Sequence, residues 1–164
     1  MALQIIDYAA AANFVTHPIQ LSIYPPFECG LIIDCKDGIK IKAARYRGRN
    51  MYGLSEFSWG SVWERHDIDP FIKVGSVLKI PHKDNLFDYV VYDTGFPNMT
   101  DEQVGDALNE LYRVSKKIVV LKINTIKERD EQWWFNKTRE VGFYPEVWQV
   151  SITGHINAEM RTDF

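Results

Sequence analysis

Asp93, in the stretch YDTGFPN, stands where an apolar run ends, and Asn98 follows on the same loop. A carboxylate at the carboxyl end of a strand is suited to act as a general base or to orient an amine. The same residue ahead of Thr94-Gly95 equally suits a plain turn. A second group lies at Asp34-Cys35-Lys36-Asp37-Gly38-Ile39-Lys40, a turn that leads from an apolar strand into a short basic helix. Cys35 has no histidine placed to activate it, so a buried strand-end thiol is the better reading than a nucleophile. His17, His66, His82 and His155 fall at no metal-ligand spacing and form no zinc pattern with Cys29 and Cys35. Between Lys36 and Arg49 stand six basic residues and one acid, Asp37. Such a run is either a solvated helix face or a phosphate contact. The aromatic clusters FSWGSVW (57–63) and WWF (133–135) could stack a base or an acceptor ring, or fill the core. Trp59 and Trp63 lie four apart, on one face if their segment is helical.

The elements that must position these groups are apolar runs at short intervals: GLIIDC (30–35), NMYGLS (50–55), IKVGSV (72–77), FDYVVYD (87–93), KIVVLKIN (117–124) and EVWQVSI (146–152). Near-continuous apolar runs suit strands buried on both faces of a largely parallel sheet. Between them, Thr100 to Ser115 reads as a helix, with Thr100 and Gln103 spaced as a capping box and Val104, Leu108 and Leu111 at helical period. Glu128 to Val141 reads as another, stopped by Gly142. Strands alternating with helices predict an α/β three-layer sandwich with a mostly parallel central sheet of six or seven strands, GLIIDC and FDYVVYD central. With 164 residues, 46% hydrophobic and 25% charged, the chain suits one domain spanning 1–164, in which Pro25-Pro26 sets off an N-terminal appendage, 1–27.

The formal net charge of -3 gives no general reason to bind nucleic acid or an anionic membrane. No stretch reaches the roughly 18 apolar residues needed to cross a bilayer, and the N-terminus has no basic leader. Cys29 and Cys35 would flank or share one strand, where they are poorly placed to bridge. Both are expected reduced, in a cytoplasmic protein.

Two further pieces point to a family. Ile80-Pro81-His82-Lys83-Asp84-Asn85-Leu86-Phe87-Asp88 precedes one strand, and Glu110-Leu111-Tyr112-Arg113-Val114-Ser115-Lys116 precedes the next. In this order and spacing they resemble the class I S-adenosylmethionine-dependent methyltransferases, in the branch that reads D-x-x-x-L-P-F-x-D-N-S-F-D and E-L-x-R-V-L-K-P-G-G. The likeness covers roughly residues 30 to 150. It implies a Rossmann-like fold and S-adenosylmethionine as cofactor, with contacts at three places. The family's glycine-rich turn D-x-G-x-G-x-G matches 34–40, where Asp34 and Gly38 remain and Lys36 and Lys40 replace glycines. Its ribose-binding acid aligns with Ser55, with Glu56 one residue late. Its adenine-side acid aligns with Ser76, beside Val77. Glycine matters in such a turn because backbone approach and positive φ are cheap only without a Cβ. A lysine at the start of a helix also opposes its dipole and crowds the ligand.

The resemblance therefore implies one of two things: methyl transfer to an unidentified acceptor through a divergent cofactor site, with Asp93 as the catalytic candidate, or a non-catalytic methyltransferase-like binding or partner subunit. A chain of this size has little room for a separate substrate domain. A homodimer or a partner chain would supply elaborate acceptor recognition.

Overall fold

The computed structural model describes residues 29–123, 129–150 and 156–162. The expected appendage, 1–27, lies outside them. Seven strands form one sheet: β1 (Gly30–Ile33), β2 (Met51–Ser55), β3 (Ile72–Val74), β4 (Phe87–Gly95), β5 (Ser115–Ile123), β6 (Tyr144–Val150) and β7 (Ile156–Arg161). Their order across the sheet is β3-β2-β1-β4-β5-β7-β6. The first five pair in parallel, and β7 runs antiparallel between β5 and β6. Among the described residues the helices are α1 (Ile39–Tyr46), α2 (Gly60–Arg65), α3 (Asp101–Val114) and α4 (Glu131–Val141), with a 3-10 turn at Asp69–Phe71.

Why the strands read as unbroken apolar runs is clear in β1. Leu31 and Ile33 join the core beneath α3 and α4, with Val90, Leu108, Trp134 and Phe143. Ile32 faces the other way, into a second core of Ile41, Ala44, Met51, Trp63 and Ile68 beneath α1 and α2. All three β1 side chains are buried, so neither face tolerates a polar residue. The result is the expected three-layer sandwich, with β1 and β4 at its centre.

The capping box of α3 is present in both directions: Thr100 Oγ1 accepts from the Gln103 amide at 3.2 Å, and Gln103 Oε1 accepts from the Thr100 amide at 3.0 Å. Helix α4 starts later than its sequence suggests, because Asp130 caps it by accepting from the Trp133 amide at 2.8 Å. Gly142 ends it at φ 114°, the left-handed conformation in which glycine has no Cβ penalty. Strand β7 (INAEMR) was not expected. It is short and mixes polar with apolar residues, and its place is set by pairing with β5 on one side and β6 on the other.

The two family-like pieces touch each other. The Arg113 guanidinium donates to Glu110 Oε1 and Oε2, each at 2.7 Å, to the Ile80 and His82 carbonyls at 2.9 and 2.8 Å, and to Asp84 Oδ1 at 2.8 Å. Glu110 in turn accepts from the Ile80 amide at 2.6 Å. One bidentate pair thus staples the loop before β4 to the last turns of α3. Donation from Arg113 outweighs burial and holds the Glu110 carboxyl below its ordinary range.

Candidate functional site

After β1 the chain moves outward through β2 to β3, then crosses back to β4 on the other side of β1. That reversal opens a crevice at the carboxyl ends of β1 and β4, where open α/β sheets bind ligands. A cavity of about 190 Å3 lies there, lined by Asp34 after β1, Glu56 after β2, Ser76 and Val77 after β3, Tyr92 of β4 and Asn98 of the loop beyond. Ile33, Gly75, Leu78, Pro97, Met99 and Gln103 complete its wall.

Of the residues read from the sequence, Asp34, Glu56, Ser76 and Val77 therefore meet around one cavity, and Ser55, Gly38 and Asp93 do not line it. Ser55 is buried as the last residue of β2, and its hydroxyl donates to the Phe57 carbonyl at 2.6 Å. Beyond it the chain leaves the sheet, so strict alternation of faces no longer governs Glu56. The later acid, not the serine in register, faces the cavity. Ser76 Oγ is used locally, accepting from the Leu78 amide at 3.1 Å within a tight turn bridged to Lys79.

The turn after β1 keeps the backbone of a glycine turn without most of its glycines. Asp34, Lys36 and Gly38 have φ of 56°, 50° and 77°, all left-handed. Lys36 holds this strained conformation because the buried Trp63 donates its indole N–H to the Lys36 carbonyl at 2.8 Å from below. Gly38 is required on packing grounds as well: a Cβ there would lie 2.5 Å from Ile68 Cδ1 and 2.9 Å from Ile72 Cδ1. Trp63 is thus a core residue that props the turn, while Trp59 caps α2 and is exposed. Trp134 is fully buried against Phe96, and core packing accounts for it.

Lys40, in the first turn of α1, is not a bystander. Its ammonium lies 3.0 Å from Asp93 Oδ2 and joins the helix start to the end of β4. Asp93 faces α1, whereas its neighbour Tyr92 packs on the opposite side of the sheet. Past Asp93 the backbone is strained again, with Gly95, Phe96 and Asn98 at φ of 84°, 57° and 54°. A bulky residue rarely takes this conformation; Phe96 is kept there by full burial between Tyr92 and Trp134. That placement brings Pro97 and Asn98 to the cavity rim, and no local sequence signal pointed to Tyr92, Met99 or Gln103.

Cys35 is buried beside the turn, and its thiol is pushed up to about 12, first by burial and further by Asp34 and Asp37. It is an inert packing group. Neither Cys29 nor Cys35 forms a disulfide. Among the described residues no cluster of His, Cys, Asp or Glu could hold a metal ion, and no helix is long and apolar enough to cross a membrane.

No protein-family model matches the chain, and no curated protein matches it by sequence. Solved structures do match in shape. A S-adenosylmethionine-dependent methyltransferase from Thermotoga maritima is 14% identical with a TM-score of 0.65, over 94% of this chain and 88% of that one. The 1,6-didemethyltoxoflavin-N1-methyltransferase of Burkholderia thailandensis, solved with its substrate and S-adenosylhomocysteine, is 14% identical with a TM-score of 0.68, over 94% and 79%. A chain of the Haloferax volcanii complex formed with the Trm112 methyltransferase activator is 13% identical with a TM-score of 0.64, over 96% and 95%. At such identities the likeness is one of fold: the chain has the Rossmann-like fold of the class I methyltransferases.

Proposed function

We propose that the chain binds S-adenosylmethionine over the carboxyl ends of β1 and β2 and transfers its methyl group to an acceptor through a divergent site. The observation that carries this reading is the convergence of Asp34 and Glu56 on one crevice at the switch point between β1 and β4. The residues present fit the cofactor. Glu56 offers a carboxylate to a pair of ribose hydroxyls, and Val77, Leu78 and Met99 offer an apolar wall to a purine ring. When bound, the cofactor supplies an electrophilic methyl group.

Everything else falls to the chain's own side chains. Glu56 accepts hydrogen bonds and fixes the orientation of the nucleoside, so that the transfer is a matter of positioning. Asp93 takes up a proton from the acceptor or orients its amine, and Lys40 holds that carboxylate in place. The cavity, at about 190 Å3, is below the ~300–1,000 Å3 of a typical small-molecule pocket. The affinity is therefore weak, on the order of tens to hundreds of micromolar. Two cysteines outside any disulfide support a reducing, cytoplasmic setting. A second copy or a partner chain completes acceptor recognition, in keeping with the activator complex of the Haloferax neighbour.

Calorimetric titration with S-adenosylhomocysteine tests the reading. Saturable binding in that range is expected. Absence of binding at millimolar ligand would leave the fold as a non-catalytic scaffold, and submicromolar binding would contradict the divergence of the site.

A further inference from the structure

Helix α1 divides the basic run between two ends of the molecule. Lys36 and Lys40 stand at the crevice end, while Lys42, Arg45 and Arg49 gather at the other, where β2 and β3 begin. There they line a cleft of about 530 Å3 together with Tyr46, Asn50 and Phe71. That volume is within the range of small-molecule sites and well above that of the crevice cavity.

Two of the three cations around this cleft are held in place by neutral partners. Lys42 donates to the His66 carbonyl at 2.8 Å. The Arg45 guanidinium lies 3.2 Å from the centre of the Phe71 ring and 5.2 Å from that of Tyr52, and donates to Asn50 Oδ1 at 3.2 Å. Neutral oxygens and ring faces hold these cations without cancelling their charge. Among the described residues the ion pairs engage Lys40, Arg113, Lys117, Arg129 and Lys137, and none engages Lys42, Arg45 or Arg49. Asp67 is the one acid on the wall. Compensation of the helix dipole accounts for Arg45, in the last turn of α1, but not for three cations around a cleft. At the rim, Tyr46 is 89% exposed, an aromatic face presented to solvent beside the cations.

We propose that this cleft binds the phosphate of a nucleotide, with Lys42, Arg45 and Arg49 on the phosphate and Tyr46 stacked on the base. Guanidinium groups match phosphate oxygens two at a time, and aromatic faces accept any base. The nucleotide is either free in solution or part of a single strand, and the overall charge of -3 confines the attraction to this patch.

The test uses the whole chain and ligands that lack adenosine, so that the crevice is not probed by mistake: uridine triphosphate, inorganic pyrophosphate and a short oligouridylate. Saturable binding is expected for at least one of the two uridine ligands, undisturbed by saturating S-adenosylhomocysteine. Arg49→Gln should weaken it about tenfold through loss of one charge-assisted contact. Tyr46→Ser should weaken the uridine ligands and leave pyrophosphate unchanged; both variants should keep the wild-type denaturation midpoint. Tighter binding of the triphosphate assigns a free nucleotide, and tighter binding of the oligonucleotide assigns a strand. The proposal is overturned if none of the probes binds, if S-adenosylhomocysteine displaces them, if Arg49→Gln leaves their affinity unchanged, or if Tyr46→Ser affects pyrophosphate as much as the uridine ligands.

Discussion

Glu56→Gln, set against Ser55→Ala, decides which of two neighbouring residues serves the cofactor. Glu56 lines the crevice cavity, whereas Ser55 is buried with its hydroxyl on the Phe57 carbonyl. A carboxylate receiving two ribose hydroxyls makes two charge-assisted hydrogen bonds of about 1.5–3 kcal/mol each. Because Glu56 is exposed to solvent, the lower end of that range applies. The amide keeps one acceptor oxygen, so the substitution removes one such bond, about 1.5 kcal/mol, roughly a tenfold loss of affinity. Stability should be unaffected, since Glu56 supports no packing. Ser55→Ala should show the reverse: a loss of about 0.5–1.5 kcal/mol of stability from one buried hydrogen bond, with affinity unchanged. Titration calorimetry with S-adenosylhomocysteine and urea denaturation of both variants measure the two quantities. Wild-type affinity in Glu56→Gln, or a tenfold loss in Ser55→Ala, would refute the assignment.

Gly38→Ala combines a left-handed φ with a Cβ driven onto Ile68 and Ile72, and should lower stability by about 2–4 kcal/mol in denaturant melts. Acid should destabilise the protein in two stages. His82, held down to about 4 by burial and by the Lys73 and Arg113 cations, is neutral in the fold, so stability falls as pH drops from about 6.5, where the unfolded chain takes up the proton, towards 4. Glu110, held below its ordinary value by Arg113, adds a further loss as pH falls through the carboxylate range. His82→Phe should abolish the first stage and spare the second in a pH series of denaturant midpoints. Cys35 should resist thiol reagents in the native protein at pH 8 and react once urea unfolds the chain, and prompt native labelling of Cys35 would contradict its burial.

Local signals were legible wherever the backbone itself carries them. The apolar runs of β1, β4 and β5 declare strands buried on both faces, Thr100 and Gln103 declare the start of α3, and Gly142 declares the end of α4. The pieces at 80–88 and 110–116 could be recognised, although their reason, the Glu110–Arg113 staple across about thirty residues, could not. What tertiary structure alone decided is which side chain meets which across the sheet. Glu56 rather than Ser55 faces the cavity because the chain leaves β2 at Ser55, and a strand's alternation ends with its hydrogen bonds. Lys40 finds Asp93, 53 residues away, only because β4 lies beside β1 in the sheet order. Lys36 can take a glycine's backbone because Trp63 holds its carbonyl from 27 residues further on. The identities of these residues were in the sequence. Their partners are set by strand order and by where each strand lets go of its neighbours, and neither is written in the spacing of residues along the chain.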